Sequence, residues 1–327
     1  MAFVWTITSV AVLLIMADIG YRQFASRRIC RLFENVPLFG AAHSASSRSA
    51  LQLSIPFDGS NNLKASLHSP SGNPIGLIIF CPELRADHWS AEHYCSGLVE
   101  AGFAVLSFEF RDIHANHLQT DTPRHWVTES EIADIEAVLK FVKQAPNLNH
   151  LPLGIFGVSR GGAAALVAAC RFPQITSAVT DGAYSTMGML KSFISRYSRY
   201  IVPDWFFSKL PAWHVEFTLR QAVRLSERKN GCRYVHLERE AANIRHPVLL
   251  ISGNRDSYVT PVVTQHIANC LQATDCVWLV EKARHNKSRE VASTAYDLKL
   301  ITHFHKTLCP TAELGSLEVS CSRPSVA

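Results

Sequence analysis

Three residues in this sequence are of the types that together move an acyl group: Ser159, Asp256 and His285. A serine hydroxyl is a poor nucleophile at neutral pH and needs a base within hydrogen-bond reach. A histidine supplies that base. A carboxylate behind it holds the imidazole tautomer and stabilises the imidazolium. Ser159 stands at the centre of Gly157-Val158-Ser159-Arg160-Gly161-Gly162. Leu153 to Phe156 before it reads as a short buried strand, and Ala163 to Cys170 after it as an Ala-rich helix. A strand that turns at once into a helix leaves no room for side chains two before or two after the corner, so glycine is required there. The corner side chain stands out at a helix N-terminus, where backbone N–H groups and the helix dipole favour negative charge.

The other two candidates each follow an apolar run. Asp256 lies in Gly253-Asn254-Arg255-Asp256, after the strand-like Pro247 to Ser252. His285 lies in Arg284-His285-Asn286, after Cys276 to Val280. A second carboxylate, Asp181, ends the run Ile175 to Thr180 and is the rival acid. Its alternative role is a turn carboxylate at Asp181-Gly182.

The order serine, acid, histidine, with the serine at a Gly-x-Ser-x-Gly turn, resembles the α/β-hydrolase superfamily. The resemblance covers roughly residues 51–308. It is carried by Gly157-x-Ser159-x-Gly161-Gly162, by Gly253 to Asp256 with Val259 and Pro261, and by Arg284-His285-Asn286. It implies Ser159 as nucleophile, His285 as base and Asp256 as acid. Asp256 is preferred because its Gly-x-x-Asp context matches the superfamily, whereas Asp181 lies closer to the nucleophile strand. It also implies an oxyanion hole of two backbone N–H groups. One comes from Arg160. The other comes from the loop after Phe80, which departs from the superfamily's common His-Gly pair and reads Cys81-Pro82-Glu83-Leu84. Proline has no N–H, so Glu83 or Leu84 must donate, and the Glu83 carboxylate must point elsewhere. The implied reaction is cleavage of an ester or thioester acyl substrate without a metal or organic cofactor. The alternatives are a serine peptidase of the same fold and a non-catalytic hydrolase-fold binding protein.

Other candidates carry less. His114 and His117 have a spacing that suits a metal, but no Cys or carboxylate set completes a site, so a loop is expected. Cys81 has no turn around it that would make it a nucleophile and reads as a small buried residue.

The elements that must position these residues are legible as alternation. Leu51 to Phe57 and Leu63 to His68 read as paired strands around Asp58-Gly59. Ile75 to Phe80 and Phe103 to Phe110 read as buried strands, and Ser90 to Ala101 as a helix between them. Glu129 to Lys143 has one apolar face, formed by Ile132, Ile135, Val138, Leu139 and Val142. Pro261 to Leu271 and Ser293 to Leu308 read as helices. Strands alternating with helices argue for a mostly parallel sheet covered on both faces. Such sheets bind ligands at the carboxyl ends of their strands, where Ser159 and Asp181 fall. Residues 187–239 break the rhythm. They are rich in aromatics such as Phe193, Trp205, Phe206, Phe207 and Trp213, and read as a helical cap.

The 327 residues suffice for one large domain, expected over residues 50–309. A hydrophobic content of 47% supports a substantial core. The net charge of +5 contains no Lys/Arg block that argues for nucleic acid. Nine scattered cysteines without Cys-x-x-Cys suggest reduced thiols rather than a disulfide framework. Met1 to Met16 carries no charged side chain, and Arg22, Arg27, Arg28 and Arg31 follow. Residues 1–21 therefore read as a single membrane anchor, with the rest cytoplasmic by the positive-inside rule. The competing readings are a cleaved signal peptide, for which a basic n-region is missing, and an apolar helix packed on the domain. Residues 22–49 read as basic flank and linker, and residues 310–327 as a tail.

Overall fold

The computed structural model describes residues 2–35, 50–58, 61–111, 125–197, 205 and 209–309. Asp58-Gly59 as a turn, His114, His117, Tyr200, Phe206, Phe207, most of the linker and the tail fall outside the described residues in whole or in part.

The centre is an eight-stranded sheet in the order β1-β2-β4-β3-β5-β6-β7-β8. Its strands are β1 (Leu51–Asp58), β2 (Asn61–His68), β3 (Gly76–Cys81), β4 (Phe103–Phe108), β5 (Leu153–Val158), β6 (Ser177–Asp181), β7 (Val248–Gly253) and β8 (Val277–Val280). β1 and β2 pair antiparallel, and β2 pairs antiparallel with β4. From β4 to β8 every pairing is parallel. The apolar runs β3, β4, β5 and β6 are buried at every position. A strand covered on both faces has no polar side to keep, which is why these segments lack alternation.

The helices are α1 (Ala2–Glu34), α2 (Ala91–Glu100), α3 (Glu129–Gln144), α4 (Arg160–Arg171), α5 (Thr186–Tyr197), α6 (Ala212–Asn230), α7 (Leu237–Glu240), α8 (Pro261–Cys270), α9 (Ser288–Val291) and α10 (Ser293–Leu308). Successive strand residues feed opposite layers. Leu77, Ile79 and Ile155 join the core under α3, α4 and α8. Ile78, Phe80 and Phe156 join the core under α2 and α10. α3 begins with a capping box, in which Thr128 caps the helix and the Glu131 side chain accepts from the Thr128 N–H. α8 begins with Pro261 in its first turn, where a missing N–H costs nothing. Between β6 and β7 the chain leaves the sheet for α5, α6 and α7.

Two expectations are corrected. α4 starts at Arg160 rather than Ala163, because the corner is a single residue; this makes the Arg160 N–H the first of the helix. The larger correction concerns the N-terminal segment. α1 does not end near Tyr21 but runs unbroken through 33 residues to Glu34. Its first half is bare, with Phe3 77% and Leu14 67% exposed. Its second half is not a linker; it docks on α6. The Ser26 hydroxyl donates to the Thr218 carbonyl at 3.2 Å. His214 Nε2 and the Asp18 carboxylate meet at 2.7 Å. Glu34 takes Ser226, Lys229 and Asn230 as partners. Phe33 is buried, lies flat on Trp126 with ring centres 4.3 Å apart, and its carbonyl accepts from the Trp126 indole N–H at 2.9 Å. Ser26, Cys30 and Phe33 recur at helical spacing and give this half its buried face.

A chain beginning at Asp18 should therefore keep the stability of the full domain. One beginning at Ala50 should lose about 3 kcal/mol or more, the scale of removing one buried Phe. Thermal melts of the two chains read the difference, and equal midpoints would show that the docked half of α1 contributes nothing.

Candidate active site

The carboxyl ends of β5, β7 and β8 bring three side chains into one hydrogen-bonded row. β5 turns into α4 at Ser159, whose backbone is left-handed, with φ 51° and ψ −115°. A non-glycine residue held there stores about 1–3 kcal/mol of strain. The surrounding glycines show why the turn is possible. A Cβ on Gly157 would come within 2.4 Å of the Gly161 carbonyl oxygen. One on Gly161 would come within 2.1 Å of the Cys81 carbonyl oxygen and 2.4 Å of that of Pro82. The start of α4 is thus pressed against both β5 and the loop after β3.

Ser159 Oγ lies 2.9 Å from His285 Nε2. On the other side of the ring, His285 Nδ1 lies 2.7 Å from Asp256 Oδ2. A carboxylate on Nδ1 fixes the proton there and leaves Nε2 as the acceptor for the serine hydroxyl. Asp256 is itself held: its Oδ1 accepts from the Tyr258 and Val259 N–H groups, both at 2.8 Å. Ser159 and Asp256 are buried, and only 6% of the His285 side chain is exposed. Gly182 lies under the imidazole, where a Cβ would come within 3.2 Å of His285 Cε1. Tyr258 meets the same ring edge-on at 5.0 Å.

Asp181, the rival acid, is turned elsewhere. Its carboxylate accepts from the Ser288 hydroxyl at 2.9 Å and from the Tyr296 hydroxyl at 3.0 Å. Full burial pushes its pKa from 3.8 up to about 6; those two hydrogen bonds and the nearby His285 pull it back, while Asp256 adds to the rise.

The loop expected to supply the second oxyanion donor lies against the start of α4, as Gly161 requires. The Glu83 carboxylate accepts from the Tyr94 hydroxyl of α2 at 3.2 Å. Cys81 is fully buried, and burial drives its thiol pKa far upward, which keeps it protonated.

Several residues beside the site escaped the sequence reading. The Arg160 side chain is buried in an ion pair with Glu131 and lies 5.6 Å from the centre of the Phe110 ring. Glu131 in turn accepts from the Thr128 hydroxyl at 2.7 Å. The start of α4 is thereby tied to the start of α3. The Thr128-x-x-Glu131 spacing was the available signal. His125 is buried against Tyr184 and Tyr258, with its Nδ1 3.3 Å from the Tyr258 hydroxyl. Burial, with Arg160 and His285 nearby, pushes it down to about 3, so it stays neutral. No local pattern marks His125, because its neighbours come from distant parts of the chain. Among the described residues no cluster of three or more His, Cys, Asp or Glu is arranged to hold a metal.

Comparison with known proteins agrees with this architecture. A dienelactone hydrolase of Anabaena variabilis is 20% identical, with a TM-score of 0.55, over 80% of this chain and 100% of that one. An esterase of Pyrococcus furiosus is 20% identical, with a TM-score of 0.56, over 82% and 99%. This chain has the α/β-hydrolase fold. An acylaminoacyl peptidase of Pyrococcus horikoshii shares the fold at 15% identity and a TM-score of 0.55, over 82% of this chain but only 43% of the peptidase. The model of the BAAT / acyl-CoA thioester hydrolase C-terminal family matches residues 135–276 of this chain, which include Ser159 and Asp256 but stop before His285. No curated protein matches by sequence.

Asp181 generates a testable asymmetry. A carboxyl whose folded pKa lies above its unfolded value helps the folded state at low pH and loses that help as pH rises through the folded pKa. Here the window runs from about 4 to about 6, and the loss is about 3 kcal/mol. Asp181→Asn removes the buried charge. Its melting temperature relative to the parent should therefore be higher at about pH 7 than at about pH 4. A difference that stays constant across that range would show that Asp181 does not titrate as its burial demands.

Proposed function

We propose that this protein is a serine hydrolase that cleaves an ester or thioester through an acyl-enzyme on Ser159, while α1 holds it at a membrane. The observation that carries the catalytic reading is the continuous row Ser159 Oγ, His285 Nε2, His285 Nδ1, Asp256 Oδ2, with separations of 2.9 and 2.7 Å. His285 takes the Ser159 proton as the hydroxyl oxygen attacks the acyl carbonyl carbon. The carbonyl π electrons move to its oxygen. The Arg160 N–H and a second N–H from Glu83 or Leu84 stabilise that oxyanion. Collapse expels the alkoxide or thiolate, which His285 protonates. A water, deprotonated by His285, then reverses the sequence and frees the acid. Asp256 keeps the imidazole aligned and compensates its charge throughout.

The thioester is included because the matching family model is described as an acyl-CoA thioester hydrolase. A peptidase reading has less support, since most of the peptidase neighbour has no counterpart in this chain. A purely binding role is disfavoured by the strained backbone at Ser159, which a serine without a task has no reason to keep.

The membrane reading rests on α1. Its residues from Phe3 to Met16 are mostly apolar, carry no charged side chain and are all exposed beside the domain. From Ala2 to Ala17 the helix covers about 24 Å, and the stretch to Tyr21 brings it to the roughly 30 Å of a hydrocarbon core. Asp18, the first charge, lies near the far end of that stretch and is met there by Arg22 and His214. The arginines that follow favour a cytoplasmic domain.

Ser159→Ala should lower turnover of short p-nitrophenyl esters and acyl thioesters by about 10⁴-fold or more and abolish labelling by a fluorophosphonate probe. Asp256→Asn should cost about 10⁴-fold in kcat, by favouring the wrong tautomer. Asp181→Asn should stay within about tenfold of the parent, since its carboxylate is committed to Ser288 and Tyr296. Unchanged probe labelling of Ser159→Ala would end the assignment, and a ranking with Asp181 above Asp256 would reassign the acid.

A further inference from the structure

α1 and α6 run side by side in the same direction: Asp18 meets His214, Ser26 meets Thr218, and Glu34 meets Ser226 and Asn230. α6 therefore begins level with Asp18, the first charged side chain of α1. Trp213, in its first turn, is 64% exposed, and Phe217 one turn on is also exposed. Exposed aromatic rings at that level are what a membrane–water boundary selects. Immediately past them a groove of about 520 Å³ opens between the two helices. Its lining begins, toward the apolar half of α1, with Ile19 and Phe217, and continues with Arg22, Arg220, Arg224 and Arg228 beside Gln23, Gln221 and Leu225.

The charges do not cancel. Asp18 pairs with Arg22, and Glu216 pairs with Arg220. Arg224 and Arg228 are exposed and have no ion pair among the described residues. Arg22 Nε is buried without a hydrogen-bond partner among the described residues, and its guanidinium lies 5.0 Å from the centre of the Phe217 ring. By helical rise, Arg22 lies about 6 Å past Asp18 and Arg224 about 11 Å past Phe217. That is about the depth of the headgroup layer below a hydrocarbon core and just beyond it. Apolar side chains leading to guanidinium groups at headgroup depth are complementary to one kind of molecule.

We infer that the groove between α1 and α6 binds the phosphate headgroup of an anionic phospholipid, with Arg22, Arg220 and Arg224 around the phosphate, Arg228 extending the field, and Ile19 and Phe217 against the glycerol and upper acyl carbons. Guanidinium forks match phosphate oxygens in pairs. A zwitterionic lipid offers the same phosphate with a cation attached, which the basic walls disfavour. This inference rests on the reading of α1 as a membrane anchor and says nothing of the reaction at Ser159.

The test uses the full chain in a neutral detergent with equimolar phosphatidylglycerol and phosphatidylcholine, reading bound lipid by native mass spectrometry. The parent should retain phosphatidylglycerol over phosphatidylcholine by about tenfold or more, the worth of two unneutralised arginines. The double variant R224Q/R228Q should lose that preference, while ester hydrolysis stays at the parent level. Inorganic phosphate at millimolar concentration should leave the lipid bound. Equal retention of the two lipids by the parent, or a preference that survives in the double variant, overturns the proposal. Displacement by inorganic phosphate also overturns it, in favour of a free-anion site. Flotation of the parent on pure phosphatidylcholine vesicles reads the anchor separately. Flotation without headgroup preference sinks the groove alone, whereas failure to float sinks the anchor and the groove proposal with it.

Discussion

The structure depends on how closely the first turn of α4 can approach β5 and the loop after β3. Nothing larger than a hydrogen fits at Gly157 or Gly161, because the space belongs to backbone carbonyls that no side-chain rotation can move. That approach forces Ser159 into a left-handed conformation. The strain has to be held from outside, since the turn would otherwise relax. Two contacts do this. The Ser159 N–H donates to the Asp181 carbonyl at 2.7 Å, tying the corner to β6. The ion pair of Arg160 with Glu131 ties the next residue to α3. Breaking one partner of a buried pair leaves an uncompensated charge, so the pair resists opening even where its net contribution to stability is small.

The same economy of space governs the electrostatics. Two carboxylates, Asp181 and Asp256, lie at the rim of neighbouring parallel strands. Asp256 accepts hydrogen bonds from two backbone N–H groups and lies 2.7 Å from the imidazole. Among the described residues Asp181 has only hydroxyl donors; it is fully buried, and its pKa rises. The two environments separate their tasks. One carboxylate braces the histidine. The other fastens α9 and α10 to β6 through Ser288 and Tyr296. Gly182, the residue after Asp181, then leaves room for the imidazole that Asp256 holds.

The sequence made the sheet legible because its central strands are unbroken apolar runs separated by amphipathic helices. The serine turn was legible because its glycines have a steric reason visible in one dimension. The choice between Asp181 and Asp256 rested on local context, whereas the geometry distinguishes them by hydrogen bonds to Ser288, Tyr296, Tyr258 and Val259 that no spacing reveals. The fate of α1 was not legible. Arg27, Arg28 and Arg31 make residues 22–34 look like a charged flank, and Pro37 and Gly40 suggested a linker from Leu32 onward. The buried face of Ser26, Cys30 and Phe33 is narrow and carries one large side chain, so it gives a weak periodic signal. Its partners Thr218 and Trp126 lie 192 and 93 residues away.

That docking changes what the N-terminal helix is. A tether through a flexible linker would leave the domain free to tumble beneath a membrane. A helix that runs without a break into the domain does not. Phe33 lies on Trp126, Trp126 meets His125 and Tyr184, His125 meets Tyr258, and Tyr258 meets His285. Each contact is between buried or half-buried rings in a core shared by α1, α5 and α6. The end of α1 and the Ser159–His285 pair therefore belong to one packed body, and the direction of the apolar half of α1 sets the direction of the site. Close packing transmits such an orientation without a hinge, because interiors of this density deform little. If α1 stands in a bilayer, α6, which packs along it, lies next to that bilayer, and Ser159 is held at a fixed position relative to both helices rather than at the end of a leash.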